Sequence, residues 1–148
     1  MADLTRTPSL VRFMEGIEAR MIPMIADEAI SVGQPVYRKA NGRAGVARAN
    51  ATGTSKVVGI ATKSVIAGKA FEAGYHARFV GFDLSSVNPG TTVYLSVTAT
   101  GVIADAAATG TGNVVVPLGT VHTMTDVSAT RFIFFDIPLN APTPTALT

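Results

Sequence analysis

Gly33-Gln34-Pro35-Val36-Tyr37 returns 57 positions later as Gly90-Thr91-Thr92-Val93-Tyr94. Each copy places a glycine turn before a strand whose Val and Tyr side chains point to opposite faces. An Ala-Thr-Gly-Thr segment follows in both halves, at 51–54 and 108–111, and each leads to a valine-rich strand that ends in glycine. The shared order predicts an internal duplication of one β-unit, and chance similarity in a Gly/Thr/Val-rich chain is the alternative.

The same β pattern extends outward from these two segments. Short runs rich in Val, Ile, Thr, Tyr and Phe alternate with Gly, Pro and Asn from Met21 onward, as is typical of strands and turns. They predict strands near residues 20–26, 35–39, 44–48, 56–63, 75–82, 92–97, 101–105, 113–124 and 130–137. We therefore expect one all-β domain over residues 21–137, with half-repeats at about 30–60 and 87–120.

Three local signals within this domain make sharper predictions. Asn41-Gly42 predicts a type I′ hairpin turn, in which both central residues adopt positive φ. Asn88-Pro89-Gly90 predicts a type II turn, because proline presets one φ and glycine accepts a positive φ at the next position. Phe132-Ile133-Phe134-Phe135 is apolar at every position, which predicts a strand buried on both faces.

The two ends of the chain are expected to lie outside this domain. Residues 1–20 form an N-terminal arm, extended or folded into a short helix after Ser9, and residues 138–148 form an extended tail. A helix of two or three turns is marginal in water, so the arm needs either its own domain or another subunit as a partner surface. The candidate docking side chains of the arm are Leu10, Val11, Phe13, Met14 and Ile17.

Charge is sparse and unevenly distributed. Charged residues make up 15% of the chain, against roughly 25% in a typical soluble domain, which favours a surface buried against neighbours over a neutral monomer. Residues 29–71 contain seven basic residues and no acidic one, whereas residues 72–148 contain two basic and five acidic residues. An acidic protein surface is the favoured partner of the basic stretch, and a solvated face is the alternative. The candidate docking cations are Arg38, Lys39, Arg43 and Arg48.

Residues suited to catalysis or metal binding are few. The chain has no cysteine, which excludes disulfides and thiolate metal sites. His76 and His122 lie in separate predicted strands, no nucleophile motif accompanies them, and the acids lack metal-binding spacing. We predict no catalytic residue, no cofactor, no metal and no small-molecule substrate. A nucleic-acid-binding β domain is less favoured, because Tyr37 is the only aromatic residue between 29 and 70 and offers no stacking platform.

No stretch approaches the ~20 apolar residues of a membrane span, so no membrane partner is expected. The N-terminal residues also lack the apolar run of a signal peptide, because Arg12, Glu15, Glu18 and Arg20 interrupt it. We therefore expect a product made in the cytoplasm.

Four segments in order resemble the capsid decoration, or cement, proteins of tailed phages and related head-fibre anchors. They are Ala26 to Tyr37, Val57-Val58-Gly59-Ile60-Ala61, Gly90 to Ser96 and Gly101-Val102-Ile103, and the match over residues 26–119 covers about two thirds of the chain. The resemblance implies a small β-barrel or β-tulip-like domain, usually a homotrimer, that binds outside the expanded head and bridges major capsid proteins. It implies a place on the virion surface after synthesis in the host bacterial cytoplasm. Other virion modules (tail, baseplate or fibre base) share such β-domains and are the alternative.

Overall fold

β-branched and aromatic runs form ten strands in the computed structural model, which describes residues 3–6, 10–13, 19–124, 127–140 and 142–148. The strands are Arg12–Phe13 (β1), Arg20–Ile25 (β2), Pro35–Arg38 (β3), Ala44–Val46 (β4), Val57–Ala61 (β5), Ala70–Val80 (β6), Thr92–Leu95 (β7), Ile103–Ala104 (β8), Pro117–Met124 (β9) and Val127–Asp136 (β10). Within the described ranges, the one helical element is a 3₁₀ turn at Thr52–Thr54. The all-β prediction is confirmed, and each of the nine predicted strands overlaps an observed one.

Eight strands form an antiparallel path in the order β4-β3-β5-β6-β10-β9-β7-β8, while β1 and β2 pair with β6 outside this path. The sheet is curled, so that its two ends meet. The Gly101 N–H, beside β8, donates to the Ala47 carbonyl, just after β4, at 2.7 Å. The Ala49 N–H likewise donates to the Ser96 carbonyl at 3.0 Å. The result is a barrel-like domain, as the resemblance implied.

The path consists of two halves with the same strand order, β4-β3-β5-β6 and β8-β7-β9-β10. Their registers also repeat. The pairing of β3 with β5 shifts between Val36 and Tyr37, and the pairing of β7 with β9 shifts between Val93 and Tyr94. In each half the valine is fully buried and the tyrosine is half-buried. The two halves therefore share strand order and register, as the predicted internal duplication would produce, and the repeated Val-Tyr pair marks an irregularity common to both halves.

The two halves join where β6 pairs with β10. His76 lies opposite Asp136 there, and the Ile137 N–H donates to the Tyr75 carbonyl at 2.8 Å. Phe79 and Phe135 are fully buried inside the sheet next to this seam, with their ring centroids 5.5 Å apart in an edge-to-face arrangement. Aromatic pairs of this geometry add to the stability that burial provides.

One strand is buried differently from its prediction. Ile133 and Phe135 are fully buried, but Phe132 and Phe134 are half-buried and point to the outside of the sheet. The expectation that this strand is buried on both faces was wrong, because side chains alternate between faces and no second layer fully covers the outer one.

One turn prediction is corrected and the other is confirmed. Gly42 has φ of 85°, but no non-glycine residue in the described ranges has positive φ, so Asn41-Gly42 does not form a type I′ turn. Instead the Gly42 N–H donates to the Lys39 carbonyl, and the Lys39 N–H to the Arg43 carbonyl, as in a three-residue hairpin loop that ends in a left-handed glycine. Gly90, with φ of 90°, closes the predicted type II turn.

Candidate docking surface

The described residues of the arm lie against their own domain rather than apart from it. Val11 is 4% exposed and belongs to the main core, and the Phe13 ring centroid is 5.9 Å from that of Phe79. Leu10 is 60% exposed, whereas Met14 and Ile17 lie outside the described residues. Of the two partner surfaces expected for the arm, its own domain therefore receives Val11, which the core buries, and Phe13, which packs partly buried against it.

Polar contacts fix the first residues of the arm as well. The Asp3 carboxylate accepts hydrogen bonds from the hydroxyls of Ser96, at 2.6 Å, and Thr98. Ser96 is fully buried, and a buried hydroxyl needs such a partner. The Arg6 guanidinium donates to the Val32 carbonyl at 2.6 Å, and partial burial lowers its pKa. The arm therefore ties the two half-repeats together.

The four candidate cations divide into two pairs. Lys39 Nζ contacts Asp27 Oδ2 at 3.0 Å and Glu28 Oε2 at 3.1 Å. Arg48 donates from Nε to the Val97 carbonyl at 2.9 Å and from Nη2 to the Thr98 carbonyl. Arg38 and Arg43 are exposed, and Arg38 donates to the Gly42 carbonyl at 3.0 Å. Lys39 and Arg48 thus make contacts within the domain. The Arg38 and Arg43 side chains are exposed and remain available for a partner.

The Lys39 ion pair changes the titration of both partners. The hydrogen bond from Lys39 and then that from Asn41 lower the pKa of Asp27 below its ordinary value of 3.8. The same hydrogen bond to Asp27, followed by the one to Glu28, raises the pKa of Lys39 above 10.5.

Aromatic and basic side chains share the outside of the sheet beside the seam. The Arg78 guanidinium lies 4.8 Å from the Phe134 ring centroid, and the His76 ring meets Phe134 edge-on at 4.9 Å. The His122 ring stacks on Phe132 at 5.6 Å. We call these five residues the outer aromatic face. Half-exposed rings with polar edges are characteristic of protein-contact surfaces.

The polar contacts of the two histidines do not form a catalytic set. His76 Nδ1 is 3.4 Å from Asp136 Oδ1, and His122 Nε2 is 2.7 Å from Thr120 Oγ1. No hydrogen bond joins these two pairs in the described part of the chain, so neither provides the nucleophile, base and orienting group that acyl transfer needs. The described side chains also contain no group of three or more His, Cys, Asp or Glu residues able to hold a metal ion.

A groove of about 480 Å³ adjoins the outer aromatic face. We call it the tail groove. It lies between the outer side of β9–β10 and the C-terminal tail, and its walls include Val115, Pro117, Phe134, Ile137, Pro142 and Pro144. Lys56 also lines the tail groove, and it lines a second cleft together with Arg38, Leu139 and Thr143. We call this second cleft the basic cleft.

The tail is held in place by backbone hydrogen bonds. The Leu147 N–H donates to the Asn113 carbonyl at 2.7 Å, and the Gly112 N–H donates to the Leu147 carbonyl at 2.8 Å. Ala146 also pairs with Val114. The proline-containing tail is therefore anchored at its far end, which fixes one wall of the tail groove. Sequence patterns could not reveal this site, because its walls come from segments that meet only in the folded chain.

In the described ranges, no helix is long and apolar enough to cross a membrane. No family model matches the sequence, and neither a curated protein nor a solved structure is significantly similar to it.

Proposed function

We propose that this protein is a structural subunit of a tailed-phage virion that decorates the capsid. It binds the outer surface of the expanded head and bridges major capsid proteins, which reinforces the shell against the pressure of the packaged DNA. The observation that carries the proposal is the outer aromatic face with the adjoining tail groove. Together they give a small domain a partly apolar exterior suited to another protein surface.

The resemblance to cement proteins supports the same function through the duplicated fold. Its segments overlap β3, β5, β7 and β8, and of these β3 and β7 occupy matching places in the two halves of the sheet. The sparse charge of the chain agrees with a surface that is largely covered in an assembly.

We further propose that the subunit forms a homotrimer. The first half of the sheet contains the basic stretch, with Arg43, Lys63 and Lys69 exposed, whereas the second half contains the exposed acids Asp83 and Asp136. Contact between the first half of one subunit and the second half of the next is heterologous and closes into a ring when the rotation allows. Analytical ultracentrifugation tests whether the protein forms this trimer. A trimer that weakens as salt rises supports the proposal, and a monomer at high micromolar concentration contradicts it.

Binding to capsids tests the main function. Purified protein is mixed with expanded heads assembled without this subunit, and bound protein is measured by co-sedimentation and located by electron microscopy. We expect saturable binding to the outside of the shell. A Phe134→Ser variant should bind weakly, whereas Ile66→Ser is the matched control at an exposed apolar position outside the outer aromatic face and outside the candidate docking residues. Binding to tails or baseplates in place of heads would support the alternative virion module.

A further inference from the structure

We propose that the tail groove and the basic cleft together hold an extended segment of the bound capsid subunit, and that this segment carries apolar side chains next to carboxylates. The inference rests on the proposed function and specifies the chemistry of the partner. The tail groove accepts the apolar side chains, and the rim shared with the basic cleft accepts the carboxylates.

The apolar part of the inference follows from the groove walls. Val115 is 37% exposed, and Pro117 and Pro142 are also exposed. Proline has no backbone N–H, so these walls offer few donors for pairing with an added strand. An occupant therefore binds by burying side chains rather than by extending the sheet. A volume of about 480 Å³ accommodates a few aliphatic side chains.

The charge of the rim identifies the polar part of the occupant. Lys56 is exposed and has no ion-pair partner among the described residues. The Arg38 guanidinium donates a hydrogen bond to the neutral Gly42 carbonyl and forms no ion pair with a described residue. Asp136 also lines the tail groove, with its Oδ1 3.4 Å from His76 Nδ1. The two clefts together are therefore lined by two cations, Arg38 and Lys56, against this one carboxylate. The uncompensated charge at the rim is positive, so electrostatic complementarity favours a carboxylate-bearing partner.

Nucleic acid is a poorer match for this surface than an acidic protein segment. Phosphate tracking needs a row of cations along the groove, but only Arg38 and Lys56 of the basic stretch line the two clefts. Lys63 lines a separate cleft near Pro23 and Phe71. The apolar walls between the cations would leave a phosphate backbone without partners.

Peptide binding to the full chain tests the chemistry directly. The probes are a short capped peptide of alternating leucine and glutamate and a matched peptide of leucine and lysine, measured by fluorescence anisotropy. We expect the glutamate peptide alone to bind. Lys56→Glu should weaken it about fivefold to tenfold, and Val115→Asp by more than about tenfold. Lys63→Glu is the matched charge control and should stay within about twofold.

Three results would overturn the inference. They are equal binding of the lysine peptide, unchanged affinity in Lys56→Glu and Val115→Asp, or displacement of the glutamate peptide by a single-stranded oligonucleotide. Both substituted positions are exposed, and thermal unfolding of each variant confirms that it is folded.

The same variants separate this inference from the proposed function. If Lys56→Glu binds heads as well as the unsubstituted protein, the groove inference fails while head decoration stands. If the unsubstituted protein binds the glutamate peptide but no heads, head decoration fails while the chemistry of the groove stands.

Discussion

Gly59 and Gly119 occupy equivalent places in the two halves of the sheet, opposite Val36 and Val93 respectively. A Cβ atom on Gly119 would lie 2.1 Å from the Phe134 carbonyl oxygen. One on Gly59 would lie 2.8 Å from the Ala73 Cβ. Both distances are below van der Waals contact, so the duplicated unit needs glycine at this place in both of its copies.

Alanine substitutions should reveal this requirement. Gly119→Ala should lower the free energy of unfolding by about 3 kcal/mol or more, because the clash is with backbone, and Gly59→Ala by about 1–3 kcal/mol. Gly53→Ala is the control, since nothing lies within 4 Å of its added Cβ, and should change stability by less than about 0.5 kcal/mol. Urea unfolding measures all three, and a Gly119→Ala protein as stable as the control would refute the clash.

The alternation along β10 predicts unequal effects for neighbouring phenylalanines. Phe135 is fully buried, so Phe135→Ala should lower the free energy of unfolding by about 3–5 kcal/mol. Phe132 is half-buried on the outside, so Phe132→Ala should cost about 1–2 kcal/mol. Denaturant titration with intrinsic tyrosine fluorescence distinguishes the two. Equal losses would mean that the strand is covered on both faces after all.

The arm should contribute to stability through its buried side chains. Leu4 is 7% exposed within the main core, so Leu4→Ala should lower the free energy of unfolding by about 2–5 kcal/mol. Leu10 is exposed, and Leu10→Ala should change it by less than about 0.5 kcal/mol. Thermal and urea unfolding check both values. If Leu4→Ala is neutral, the arm is not part of the core and the domain should fold without it.

The Asp27–Lys39 ion pair predicts a pH-dependent stability. The pKa of Asp27 is lowered, so its contribution is present above pH 3.8 and is lost as pH falls through the lowered value. The pKa of Lys39 is raised, so its contribution is present below pH 10.5 and is lost as pH rises through the raised value. We expect Asp27→Asn to lower Tm between these limits, with the difference vanishing at both extremes.

Differential scanning calorimetry across this pH range makes the measurement. Glu72→Gln is the control, because Glu72 is exposed and forms no ion pair with a described residue. A Tm difference for Asp27→Asn that persists at low pH would show that the effect does not come from the carboxylate charge.

Patterns of neighbouring residues predict well where the strands lie. They predict poorly which face of each strand is buried. Val36 and Tyr37 indicate a strand because β-branched and aromatic residues fit a pleated surface. The Phe132–Phe135 run, in contrast, carries no polar residue to mark its outer face. Which phenylalanines lie outside depends on the layers packed against the strand, and no local signal contains that information.

The arm and the groove depend on contacts between distant parts of the chain. Val11 is an apolar residue near the N-terminus, and its burial follows from Phe82 and other core residues that lie far along the sequence. The tail groove needs Pro144 to lie across from Pro117. A single sequence shows the chemistry of such residues but not which of them contact one another in the fold. The repeated Val-Tyr motif, in contrast, can be recognised from a few neighbouring residues in each half.

The hydrogen bond from the Leu4 N–H to the Ile103 carbonyl, 2.8 Å long, has a consequence for biosynthesis. The arm leaves the ribosome before its partner strand, which emerges only after about 100 further residues, or about 5–20 s at typical elongation rates. The earlier hairpins can form while the chain is still growing, since their strands are close in sequence. The arm is therefore made well before the strand that receives it and reaches its final place late in folding.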